Sequence, residues 1–95
     1  MTKFKVLYTP SAAKDLEKLD GSAKKLIESG LERISNQPEM GKPLRKELKG
    51  LYSYRVATYR ILYKIRQNEL IVVVIAIGHR KNIYDRLKKA LLSLE

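Results

Sequence analysis

Hydrophobic residues recur along this chain in two periods, and the period changes near its middle. Ala12, Ala13, Leu16 and Leu19, then Leu26, Ile27, Leu31 and Ile34, follow the three-and-four spacing of one helix face. Thr9-Pro10 opens the first stripe with a hydroxyl cap, followed by a proline where the missing N–H costs nothing. Asp20-Gly21 interrupts it, so the spacing predicts two antiparallel helices joined by a tight turn. One covers 10–19 and the other runs from Ser22 to a stop before Pro38. Ahead of them, KFKVLYT (3–9) alternates as a strand. QPEMGKP (37–43), with two prolines and a glycine, predicts a loop.

Beyond that loop the period falls to two. LRKELKG (44–50) predicts a short polar edge strand. In LYSYRVA (51–57), Tyr52, Tyr54 and Val56 share one face while Ser53 and Arg55 share the other. In TYRILYKI (58–65), Tyr59, Ile61, Tyr63 and Ile65 oppose Arg60, Leu62 and Lys64. RQNE (66–69) predicts a hairpin turn, and LIVVVIAI (70–77), apolar on both faces, the central strand. The final segment returns to helical spacing: Asn82 as N-cap, Asp85 in the first turn, and a stripe of Ile83, Leu87, Leu91 and Leu94. The order β-α-α-β-β-β-β with a C-terminal helix predicts an α+β fold, two N-terminal helices packed on a small antiparallel sheet. A chain of 95 residues has room for a single domain, residues 1–95.

Charge adds what periodicity does not. Twenty Lys and Arg against ten Asp and Glu give a net charge of +10, which attracts polyanions: nucleic acid, a ribosome, an anionic membrane or an acidic protein. The absence of cysteine removes disulfides and thiolate metal sites and fits a reducing compartment. With one histidine as well, a zinc site is not expected. Met1-Thr2-Lys3-Phe4-Lys5 has no apolar leader core, and the run at 70–77 is too short to span a bilayer. A cytoplasmic protein is the expectation.

The candidate chemistry gathers where the strands end. If the faces of the two strands coincide across a tight turn at Ala57-Thr58, Arg55 and Arg60 line one concave side while the tyrosines pack under the helices. His79-Arg80-Lys81 leave the end of the apolar strand and are expected to project over that same side. Guanidinium forks so focused suit a phosphodiester and the phosphorane formed from it.

The ordered block LKGLYSYRVATYRILYKI, then VVVIAIGHRKNIY, resembles the RelE toxins of the RelE/ParE superfamily. YTPSAAKDLEKL near the start matches as well, so the likeness runs over about residues 3–84. It implies a RelE-like fold and the toxin of a type II toxin–antitoxin system. The implied activity is an endoribonuclease that cuts mRNA in the ribosomal A site, with the RNA 2′-OH as nucleophile and no metal or other cofactor. The implied partners are a cognate antitoxin, the ribosome and its mRNA, with the toxin–antitoxin pair binding its own operator DNA.

Carried over by position, the resemblance implies that Arg60 stabilises the transition state and that Arg80 sits near the leaving group. Arg55 occupies a basic position on the preceding strand, and Tyr84 stacks on or orients the scissile nucleotide. Lys64 and Lys81 are implied backbone contacts. Ser53 stands where many members carry Lys or Arg, and Ala57-Thr58 where Gly and Asp are common. His79 is the side chain whose ordinary pKa suits proton transfer near neutrality. Two other functions stay open at this point: a ParE-like poison of DNA gyrase, and a degenerate toxin that only binds its antitoxin. An exposed apolar face on the last helix, Leu87, Leu91 and Leu94, is one expected antitoxin dock.

Overall fold

The structure is a computed structural model that describes residues 3–79 and 81–93, with side chains described as far as Lys88. Arg80 and Leu94, and the side chain of Leu91, therefore lie outside the described residues. The elements are β1 (Lys5–Tyr8), α1 (Pro10–Glu17), α2 (Gly21–Asn36), β2 (Lys42–Pro43), β3 (Tyr52–Val56), β4 (Tyr59–Arg66), β5 (Ile71–His79) and α3 (Ile83–Ser93). Both helix starts follow the cap residues. Thr9 Oγ1 accepts from Ala12 N at 3.1 Å, and Asp20 Oδ1 accepts from Ala23 N at 2.8 Å. No helix among the described residues is long and apolar enough to cross a membrane.

The five strands form one sheet in the order β1-β5-β4-β3-β2. Every pair is antiparallel except β1 with β5, which is parallel because the chain crosses α1, α2 and the rest of the sheet before returning to it. β5 is interior and β4 is the middle strand, so the apolar run is one place from the centre.

Helices cover both faces, and this explains why β5 is apolar on both. On one side, Ala12, Ile27, Leu31 and Ile34 from α1 and α2 meet Val56, Ile61, Tyr63, Val72, Val74 and Ile77. On the other, Ile83 and Leu87 from α3 meet Leu48, Leu62 and Ala76. Leu87 is 1 % exposed, so that part of the expected docking stripe is core rather than surface. Its burial contributes roughly 1.5–3 kcal/mol. Gly30 lets α2 approach the sheet, since a Cβ there would lie 2.6 Å from Val56 Cγ2.

One expected strand is absent. The polar segment 44–50 is not extended; a 3-10 turn occupies Lys46–Leu48, and the edge pairing falls instead on Lys42–Pro43. Lys46 (φ 58°) and Gly50 (φ 98°) take left-handed backbone that a strand excludes. The turn drives Leu48 into the α3-side core.

Candidate active site

The hairpin β3–β4 is the scaffold of the site. Ser53 faces Leu62 and Arg55 faces Arg60 in the register, so the two polar faces coincide on the α3 side. The turn is two residues, Ala57 and Thr58, with Ala57 in the left-handed region at φ 54°. A non-glycine residue there costs about 1–2 kcal/mol. Arg55 is exposed, and its Nε donates to Ala57 O at 3.2 Å, which binds the turn to the arginine. Arg55 and Arg60 thus stand directly opposite each other, a like-charge pairing that destabilises a sheet. Neither makes an ion pair with a carboxylate among the described residues. Glu47, a possible structural partner for Arg60, lies 3.7 Å from Lys88 instead.

Ser53 is the hub of a three-residue cluster. It is 2 % exposed beneath α3. Arg60 Nη1 donates to its Oγ at 3.0 Å, and the Tyr84 hydroxyl donates to the same Oγ at 3.2 Å. The small Ser53 side chain therefore makes room for the guanidinium and phenol to converge. Tyr84, in the first turn of α3, is half-buried against the cluster of Leu48, Leu62 and Ile83. That packing fixes its ring while its oxygen reaches the sheet.

His79 sits elsewhere than expected. Val74 pairs with Tyr63 but Ala76 pairs with Leu62, so Ile75 is an extra residue that bulges from β5. The bulge resets the alternation, placing Gly78 opposite Arg60 and His79 opposite Tyr59. His79 therefore stacks on Tyr59, ring centroids 4.7 Å apart and planes 28° from parallel, rather than lying beside Arg60. It joins Arg55, Thr58, Lys81 and Asn82 around a pocket of about 490 Å³ at the end of the sheet. Lys64, exposed on the α3 side, enters neither group, being four residues along β4 from Arg60. The candidates thus separate into an Arg60–Ser53–Tyr84 cluster and an Arg55–His79–Lys81 pocket, with the Arg55–Arg60 pair between them.

Sequence reasoning missed the clasp that holds α3 in place. Asp15, on the buried stripe of α1 and 8 % exposed, accepts from Ile77 N at 3.0 Å through one oxygen. Its other oxygen accepts from Arg86 Nη2 of α3 at 2.5 Å. Arg86 crosses Gly78 to get there, where a Cβ would lie 3.0 Å from its Nη1. A charged residue in an otherwise apolar helical stripe was the available signal. On the helix side, burial pushes the Tyr63 phenol up to about 12. Tyr63 donates to Pro38 O at 2.6 Å and accepts from Gly41 N at 3.1 Å, which ties the loop after α2 to the sheet. Its hydroxyl is committed to structure.

The model of the family described as ParE toxin of type II toxin–antitoxin system, parDE, matches residues 6–84. Toxin RelG of Mycobacterium tuberculosis is 39 % identical over 85 residues, 87 % of this chain and 98 % of that protein. Toxin RelE of the same organism is 36 % identical over 83 residues, 85 % of this chain and 86 % of that one. A chain in the crystal structure of the M. tuberculosis toxin–antitoxin complex RelBE2 superposes with a TM-score of 0.79 at 36 % identity, covering 84 % of this chain and 94 % of that one.

Proposed function

The chain belongs to the ParE toxin family of type II toxin–antitoxin systems, within the RelE/ParE superfamily, and from that premise we propose that it is an endoribonuclease acting on mRNA in the ribosomal A site. The observation that carries this reading is Arg60. It is a half-buried guanidinium directly across from Arg55, with no carboxylate partner among the described residues and one nitrogen anchored on Ser53. A guanidinium held this way is set for an anion whose charge grows during reaction. The identity of 36–39 % to chains named RelE and RelG supports the same choice.

The ribose 2′-oxygen gives up its proton to water as it bonds to the adjacent phosphorus, the bond from phosphorus to the 5′-oxygen breaks, and the 5′-oxygen takes a proton from water. Arg60 binds the non-bridging oxygens with the donors that Ser53 does not use. Ser53 fixes the angle of that fork, and Tyr84 positions the nucleotide while its hydroxyl rests on the same oxygen. Arginine stays protonated at any physiological pH, so Arg55 and Arg60 supply charge rather than accept the 2′ proton. Arg80 remains the proposed positive charge near the leaving group. The expected binding partners are an antitoxin, the ribosome and the toxin–antitoxin operator, as the family's biology implies; the RelBE2 relative was crystallised as a toxin–antitoxin complex.

One observation favours a second reading, poisoning of DNA gyrase: the matching family model is that of ParE. Expression in growing cells separates the two. The proposal expects growth arrest with fragmented mRNA and intact DNA, relieved by Arg60→Ala. DNA breakage with intact mRNA would replace it with the gyrase reading.

A further inference from the structure

The pocket at the end of the sheet holds three side chains, Thr58, His79 and Asn82, that the cleavage step described above does not use. Its described lining is Arg55, Thr58, His79, Lys81 and Asn82, with no carboxylate among them. Two cations, an imidazole, a hydroxyl and an amide surround about 490 Å³, within the usual range of small-ligand sites. The parts are organised by the fold. Arg55 is clamped through Nε to the Ala57 carbonyl, so its terminal nitrogens present a pre-oriented fork. His79 lies flat on Tyr59, which is itself packed against the helix-side core. One ring face is therefore backed by the protein while the exposed residue turns outward to solvent.

We infer that this pocket binds a single nucleotide flanking the scissile phosphate and reads its base. The phosphate takes the Arg55 fork and Lys81. The base stacks on His79, extending the Tyr59–His79 pair to a third ring. Thr58 and Asn82 then reach the base edge, and Asn82, carrying both a donor and an acceptor, discriminates among bases. The Arg55–Arg60 pairing supplies the link, because adjacent strand partners put the two phosphate groups on neighbouring side chains. That the nucleotide belongs to mRNA rests on the ribonuclease reading; the pocket's affinity for a nucleotide does not.

The chain holds one histidine, so its ring resonances report on this pocket alone. The antitoxin-free protein is titrated with the four nucleoside 3′-monophosphates and, separately, with inorganic phosphate, following the His79 ring protons by NMR. The expected result is a saturable upfield shift with nucleotides that inorganic phosphate does not reproduce, and binding at least about tenfold weaker in Arg55→Gln. No saturable shift, or the same shift with inorganic phosphate, overturns the inference. Base reading is tested by cut-site mapping of Asn82→Ala. Preference at one flanking position should relax about fivefold, the worth of one hydrogen bond. An unchanged preference overturns the assignment of Asn82. If the wild type cuts no ribosome-bound mRNA but the NMR shift is present, the ribonuclease reading fails and the pocket stands.

Discussion

Arg60 and Tyr63 lie three residues apart on β4 and so on opposite faces of the sheet, and their opposite environments set opposite roles. Arg60 faces the α3 side, anchored among the described residues by Ser53 alone, so its loss should strike function before stability. Arg60→Ala is expected to lower mRNA cleavage roughly 10²–10³-fold while costing about 1 kcal/mol or less in stability, since one hydrogen bond is lost and a like-charge pairing is relieved. Single-turnover cleavage and urea unfolding on the same preparation measure both. Tyr63 is fully buried and should behave in reverse. Tyr63→Phe strands the Pro38 carbonyl and the Gly41 amide, a loss of about 1–3 kcal/mol, with cleavage by the folded protein unchanged. Its titration makes a signed prediction as well. The phenol is raised from 10.0 to about 12 in the fold, so the neutral form is the one the fold favours. That contribution is complete below pH 10 and is lost as the pH climbs through about 12. Stability measured between those limits should fall more steeply in the wild type than in Tyr63→Phe.

At the scale of elements, the β3–β4 turn and the α3 clasp are the two joints of the site. Ala57 holds a left-handed backbone that glycine adopts without penalty. Ala57→Gly should therefore raise stability by roughly 1 kcal/mol, read as a shift in the unfolding midpoint. At the clasp, Arg86→Ala should cost at least as much as Asp15→Ala. The first leaves the buried Asp15 carboxylate without its counter-charge, whereas the second leaves the Ile77 amide unbonded but releases Arg86, whose side chain is 45 % exposed, to water. A clearly larger loss in Asp15→Ala, read by urea unfolding, would contradict this. These joints also mark where sequence was readable. Thr9-Pro10 announced the first helix start and Asp20-Gly21 the break before the second, and the alternation around Arg55 and Arg60 announced their common face, because caps, breaks and period are local properties. The bulge at Ile75 was not legible. An apolar run on a strand buried from both sides reads the same with or without an extra residue, so the side taken by His79 could not be counted. The segment 44–50 misled for a related reason: its polar residues suit an edge strand, but Leu48 is recruited by Leu62 and Leu87, which are distant in sequence.

For the molecule as a whole, a net charge of +10 sits on a fold with helices on both faces of its sheet and two arginines opposed across one hairpin. Attraction to a polyanion built this way is screened by salt, so association with ribosomes should weaken roughly tenfold or more between 50 and 200 mM salt. Sedimentation with ribosomes measures it. The family and the sheet-and-helix plan were legible from the ordered block around Arg60 and Gly78, since that block spans the three longest strands. The division of the candidates into a cluster and a pocket required the register. The most direct test of the central claim is primer extension on mRNA from a purified translation reaction, with wild type and Arg60→Ala side by side. The account predicts cuts within codons held in the A site, present with wild type, absent without ribosomes, and lost in the variant. Intact mRNA in every lane, or cuts that persist undiminished in Arg60→Ala, would contradict it.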